Sequence, residues 1–361
     1  MDSTKPRDYQ FRVFLSYARA DKSVADGVVS VLEGRGLKVL WDRDIHAGHP
    51  FSEAIRSFIA NSHIFMPLIT SQSHDRPWLH REEGYALALN IPIVPLMIGS
   101  NHNGTQYAES GSILLTENLQ AIQVADDCSD LAERLGDADF ESVVFSAEPR
   151  TRAMLVEIAQ WQETRAELMG KNAARVLAMG DYGTVRQRGA LSSFCVPDRD
   201  IRHAVWDRRE GERKRSDYLR SLQKRERQAL ERNAQRGGIK LIIDPWITIA
   251  RATLDPVKAR LESLLDFLGS VREEQAQVIS HKSENHGNVT IVGDWFVAEA
   301  QIPRPGDGYR QTVFTWHAPT VLTAVREFDS AFATICREQD VDPNKSLSHT
   351  VEILNRRLKE L

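Results

Sequence analysis

The sequence predicts an α/β chain: a five-stranded parallel sheet flanked by helices, then a second α/β or α+β domain with long charged helices. Two observations predict the first part. Short apolar, β-branched runs recur through the first 140 or so residues, and the segments between them carry apolar residues at helical spacing. A third observation, a turn to strongly charged helical sequence beyond residue 150, predicts the second part.

The elements follow in order. "FRVFLSYA" (Phe11–Ala18) is a buried strand ending in a polar turn, and "DKSVADGVVSVLEGRG" is a helix stopped by Gly34 and Gly36. "LKVLWD" is the second strand, "PFSEAIRSFIANS" a helix with Pro50 near its start, and "HIFMPLIT" the third strand. "RPWLHREEGYALALN" is a helix, "IPIVPLMIG" the fourth strand, and "ILLTENLQAIQV" holds the fifth. "DDCSDLAERLG" reads as a capped closing helix. Strands alternating with helices imply a parallel sheet covered on both faces, whose ligands bind beyond the carboxyl ends of the strands. That rule selects the loops after Ala18, Asp42, Thr70 and Gly99.

Beyond a linker, "RTRAMLVEIAQWQETRAELMGKNAARVLAMG" is expected as a long amphipathic helix or helix pair. From Arg202 to Arg236 twelve basic residues face six acidic ones; a solvated helix face laced with ion pairs is favoured over a nucleic-acid surface. "IKLIIDP", "EQAQVIS", "NVTIVGDWFVAEAQ" and "GYRQTVFTWH" give strands, and "DPVKARLESLLDFLG" and "APTVLTAVREFDSAFATICREQ" give helices.

Composition excludes several classes. At 361 residues the chain is long enough for two domains, and its net charge of −4 argues neither for nor against nucleic acid. The three cysteines, Cys128, Cys195 and Cys336, form no CxxC pair, so neither a disulfide framework nor structural zinc is expected. His46, His49, His74 and His80 lack ligand spacing with Cys or acidic residues, so no metal is expected. "MDSTKPRDYQ" has no signal-peptide core, and no apolar run approaches the roughly 20 residues of a membrane helix, so a cytoplasmic protein is expected. No GxGxxG and no P-loop are present.

Three motifs in order carry a family resemblance. "FRVFLSYARAD", "VLWDRDIHAGHPFSEAIRSFIANSHIFMPLIT" and "PWLHREEGYALALNIPIVPLMI" resemble the first strand and turn, the flexible loop with its "AG" step, and the W-x-x-x-E helix of TIR (Toll/interleukin-1 receptor) domains. The resemblance implies a flavodoxin-like domain over residues 1–138, a linker at 139–150 and a sensing or regulatory domain at 151–361. Some TIR domains are adaptors that assemble through their loops, here around Ala47 and Gly48; others cleave NAD at the nicotinamide–ribose bond. In the second group the catalytic glutamate lies four residues after the tryptophan, which is Glu82 here, with Glu83 left to the helix surface or to assembly.

NAD+ carries a cationic leaving group, so nicotinamide departs without a general acid. One fixed carboxylate can stabilise the developing oxocarbenium ion and orient the ribose, where O-glycoside hydrolysis uses two. Residues four apart share a helix face, so Trp78, Glu82 and Ala86 form one stripe and Glu83 is turned about 100° away. Trp78 either walls the same pocket or packs in the core. His80 is not needed as a base for this chemistry. The resemblance implies substrate contacts for Tyr17, Arg19, Asp42 and Phe51. Relatives often carry an arginine directly after "SY", where this chain has Ala18 and then Arg19, so Arg19 is either a substrate ligand or a surface residue. Asp42 is either near the nucleotide or a strand-end aspartate, and Phe51 follows the "AG" step with one extra residue.

The implied function is an NAD+ glycohydrolase giving nicotinamide and ADP-ribose or a cyclic variant, with NAD as substrate and no cofactor. The expected partners are other TIR domains, through self-association, and an unidentified activator of the C-terminal domain, in bacterial antiphage defence. The alternative is a non-enzymatic TIR scaffold or host-signalling mimic acting by TIR–TIR contact.

Overall fold

The computed structural model describes residues 11–41, 51–73, 77–99, 120–146, 156–178, 183–189, 193–195, 210–246, 254–282, 287–300 and 311–361. The chain forms two compact units: Met1–Leu155 with Trp316–Thr320, and Val156–Thr315 with Val321–Leu361.

In the first unit β1 (Arg12–Ser16), β2 (Lys38–Leu40), β3 (Ile64–Ile69), β4 (Leu96–Ile98) and β5 (Ile122–Val124) form an all-parallel sheet in the order β2-β1-β3-β4-β5. This is the flavodoxin-like strand order. β1 and β3 are buried along their whole length, and the apolar runs Val13–Leu15 and Ile64–Ile69 suit strands covered on both faces. The helices are α1 (Lys22–Gly34), α2 (Phe51–Ala60), α3 (Pro77–Ala88), α4 (Leu131–Asp137) and α5 (Phe140–Ser146). α1 buries Ala25, Val28, Val29 and Leu32, a helical stripe, and stops where Gly36 takes a φ of 80°. Leu37 N then donates to Leu32 O at 3.1 Å, the six-to-one closure of a glycine-terminated helix.

Some expectations are corrected here. The fourth strand is shorter than "IPIVPLMIG" because Pro92 and Pro95 have no N–H for a ladder; Ile93 makes only an isolated bridge to Phe65. Asp130 opens α4 without capping it: its carboxylate accepts from Ala125 N at 2.8 Å and from Arg134 Nε at 3.0 Å. Within residues 139–150, expected as a linker, Phe140–Ser146 form the helix α5. Phe140 and Val144, four apart, are buried, and Phe145 meets Phe11 edge to face with centroids 6.3 Å apart. Arg12 and His63 fix the amino end of β1: Arg12 Nε donates to Asn61 O, and Arg12 N donates to His63 Nδ1 at 2.9 Å. His63 is fully buried, and burial first, then the charge of Arg12, holds its pKa well below the usual imidazole value.

The second unit has a seven-stranded mixed sheet of β6 (Val156–Ala159), β7 (Val185–Gly189), β8 (Ile239–Ile243), β9 (Ala276–Ser280), β10 (Val289–Val292), β11 (Phe296–Ala300) and β12 (Thr312–Thr315). The order is β6-β12-β11-β10-β7-β8-β9, with β7, β8 and β9 parallel and the remaining pairs antiparallel. Its helices are α6 (Gln162–Ala178), α7 (Glu210–Gly237), α8 (Leu254–Ser270), α9 (Ala318–Glu338) and α10 (Ser346–Glu360). The expected long helix or helix pair from residue 150 is corrected: β6 comes first, paired with β12, and α6 begins only at Gln162. Tertiary pairing outweighs the helical spacing there.

Part of the charge-rich stretch forms α7, and one face of that helix is buried through Leu222, Glu226, Leu230, Asn233 and Ala234. Glu226 accepts from Arg165 Nη1 at 3.0 Å and from Ser193 Oγ at 2.6 Å, while Arg227 pairs with Glu231. On β7, fully buried Arg186 donates two hydrogen bonds of 2.9 Å to Asp329 of α9, which also accepts from Lys240 Nζ at 2.9 Å. Among the described residues no helix is long and apolar enough to cross a membrane.

Candidate active site

The carboxyl ends of β1 and β3 lie side by side, with Ser16 opposite Pro67. The loops that leave them are tied together. Thr70 Oγ1 donates to Asp21 Oδ2 at 2.9 Å, Thr70 N donates to Ser73 Oγ at 2.8 Å, and Ser73 Oγ donates to Leu68 O at 2.8 Å. This rigid edge leads towards α3, which opens with Pro77 in the position where a missing N–H costs nothing.

α3 buries Leu79, Glu83 and Ala86, spaced by four and three residues. Their stripe faces the core in which Ala86 packs with Phe14, Phe65, Ile69 and Leu89. Glu82 is turned about 100° from Glu83 and is half-buried, as is Trp78 one turn before it. The Glu82 carboxylate accepts a hydrogen bond through Oε2 from Ser16 Oγ at 2.7 Å. The W-x-x-x-E helix thus sets its glutamate against the last residue of β1, at the carboxyl edge of the sheet.

The expectation for Glu83 is corrected. It is fully buried, not on the helix surface, because it follows Leu79 by four residues on the core stripe. His80 Nδ1 lies 3.5 Å from Glu83 Oε2, so the histidine is set beside the buried carboxylate.

Tyr17 follows Ser16 directly and is half-buried; its ring lies 6.1 Å from that of Trp41, tilted by 44°. Arg19 is exposed in the 3-10 turn Arg19–Asp21. Asp42, Ala47 and Gly48 lie outside the described residues, and Phe51 opens α2 with its side chain outside them. Two residues that sequence reasoning did not select, Ser16 and Trp41, stand beside those it did. Both have a signal in the motifs: Ser16 is the first letter of "SY", and Trp41 immediately precedes Asp42. Chemically the edge presents a half-buried carboxylate fixed by a hydroxyl and, next along the chain, a pair of aromatic rings. A carboxylate can stabilise a cationic ribose, and aromatic faces can stack on a base.

A family model described as a TIR domain matches residues 13–144. A search of the curated proteins finds no match. Among solved structures the chain is similar to the CMP N-glycosidase BcmB of Clostridium botulinum, at 19% identity over 35% of this chain and 97% of that one, with a TM-score of 0.27. It is similar to the TIR domains of the activated Roq1 resistosome, at 12% identity over 38% and 83%, with a TM-score of 0.25. It is also similar to a metazoan TIR-STING receptor from C. gigas, at 14% identity over 67% and 92%, with a TM-score of 0.30. The family match and the parallel order β2-β1-β3-β4-β5 establish that residues 13–144 of this chain are a TIR domain.

Proposed function

We propose that the TIR domain cleaves the nicotinamide–ribose bond of NAD+, with Glu82 as the catalytic carboxylate. The observation that carries this reading is the placement of Glu82: half-buried on α3 and held by Ser16 at the carboxyl ends of the parallel strands. In this reaction the C1′–N1 bond breaks and its electron pair neutralises the pyridinium, which leaves as nicotinamide. Water adds at C1′ and loses a proton, giving ADP-ribose; attack by a nucleophile within the same molecule gives a cyclic variant instead. Glu82 offsets the positive charge on the ribose as the bond breaks and hydrogen-bonds its hydroxyls. Tyr17 and Trp41 supply aromatic faces for the nucleotide, and Trp78 closes the side of the pocket one helical turn from Glu82. Arg19, Asp42 and Phe51 complete the substrate contacts in this reading.

Unregulated loss of NAD would harm the cell that carries this chain. The reading therefore includes control: self-association of TIR domains through the loop containing Ala47 and Gly48, governed by the second unit in response to a signal, with antiphage defence as the setting. The test is a product balance. Full-length protein is incubated with NAD+ and the mixture is resolved by chromatography. Equal molar amounts of nicotinamide and an ADP-ribosyl product support the reading; intact NAD+ at every protein concentration overturns it.

A further inference from the structure

Ser16 ends β1 and is only 2% exposed, so its hydroxyl has few partners to choose from. It donates to Glu82, 66 residues further along the chain, at 2.7 Å. Donor and acceptor are mounted differently. Ser16 stands on a strand flanked by β2 and β3, and its backbone is fixed by the register with Pro67. Its side chain has one rotatable carbon bond. Glu82 has three side-chain torsions and stands half-buried on a helix, so more torsions must be fixed to place its carboxylate. The hydrogen bond therefore passes the rigidity of the sheet to the carboxylate.

The chemistry described for Glu82 needs that rigidity. Electrostatic stabilisation works when the charge is already in place as the cation forms, without reorganisation at that moment. A displacement of about 1 Å in a reacting group can cost two orders of magnitude in rate. A carboxylate also has room for about four hydrogen bonds, so accepting one from Ser16 does not exhaust its capacity for ribose hydroxyls.

We infer that Ser16 is a positioning residue for Glu82, holding the carboxylate in the orientation that meets the ribose. It acts through Glu82 and is not a catalytic residue. The inference rests on the reading of Glu82 given above. It also assigns a purpose to the serine of the "SY" turn: a residue at that point must be small enough to be buried at the strand end and must still donate a hydrogen bond. Alanine meets the first condition only; threonine meets both.

Full-length wild type, Ser16→Ala, Ser16→Thr, Glu82→Gln and the Ser16→Ala/Glu82→Gln double variant are compared by steady-state nicotinamide release from NAD+, with thermal midpoints recorded. For Ser16→Ala, kcat is expected to fall roughly ten- to hundredfold with KM within about twofold. Ser16→Thr is expected to recover most of kcat. The alanine change should have no further effect once Glu82 is glutamine, because residues acting as a unit are not additive. Wild-type kcat in Ser16→Ala alongside an inactive Glu82→Gln overturns the positioning role alone. A loss in Ser16→Ala that tracks a fall in thermal midpoint, or that Ser16→Thr does not recover, reveals a merely structural serine and overturns it as well. Absent wild-type activity, or activity equal in wild type and Glu82→Gln, removes the reading of Glu82 and with it this inference.

Discussion

Glu82 and Glu83 are consecutive on α3 but occupy different environments: Glu83 is fully buried on the stripe with Leu79 and Ala86, while Glu82 is half-buried and accepts a hydrogen bond from Ser16. Their substitutions should separate accordingly. Glu83→Ala empties a packed position and is expected to destabilise the fold by about 2–4 kcal/mol. Glu82→Gln should leave stability within about 1 kcal/mol. Chemical denaturation of both full-length variants checks this, and equal losses of stability would contradict the assignment.

The rings of Tyr17 and Trp41, 6.1 Å apart, form the aromatic part of the proposed nucleotide site. Stacking of a base on an aromatic side chain is worth about 1–3 kcal/mol. Trp41→Ala should therefore raise KM for NAD+ roughly tenfold, at about 1.4 kcal/mol per factor of ten, with a smaller change in kcat. An unchanged KM would remove Trp41 from the substrate site.

His63 makes the first unit sensitive to mild acid. Burial, then the charge of Arg12, lowers its pKa, so it stays neutral in the native state while the unfolded chain takes up a proton below about pH 6.5. The unfolded state then binds more protons, and stability falls as pH drops through that value. Hydrogen exchange in β1 and β3 of the full chain should quicken between pH 7 and pH 5.5 beyond the intrinsic pH dependence of exchange. His63→Gln should flatten that slope; an unchanged slope would place its origin elsewhere.

In the second unit fully buried Arg186 forms an ion pair with Asp329. Burial works to raise the Asp329 pKa, but hydrogen bonding and charge from Arg186, with Lys240, hold it below the usual carboxylate value. Its stabilising contribution is thus complete above about pH 4 and is lost as pH falls through its depressed value. Asp329→Ala should cost about 3–5 kcal/mol by leaving a buried guanidinium without its carboxylate. Limited proteolysis should show this as selective opening of the second unit, and wild-type resistance would contradict it.

The legible parts of the chain are those whose physics is local. The apolar runs of β1 and β3 and the long helical period of α9 declare themselves within a few residues. β7 gave no such signal, because two of its buried residues are Arg186 and Gln187. Partners that include residues more than 100 positions away hold them, Asp329 for Arg186 and Thr290 for Gln187, which also bonds Ser193 nearby. β6 was hidden for a related reason: "VEIA" becomes a strand through pairing with β12 more than 150 residues away. At the site, the register of Trp78 singled out Glu82, but the contact with Ser16 spans 66 residues and is not visible in any local pattern. Burial of Glu83 followed the phase of α3 relative to its core, which the alternation of charge in "HREEG" conceals.

The central claim, that Glu82 acts on NAD+, is tested most directly by nicotinamide release from full-length wild type and Glu82→Gln across a protein concentration series. Release that rises faster than in proportion to wild-type concentration, and falls at least a thousandfold in Glu82→Gln, is the expected result, a loss of about 4 kcal/mol in transition-state stabilisation. Release that persists in Glu82→Gln, or a wild type silent at every concentration, would contradict it.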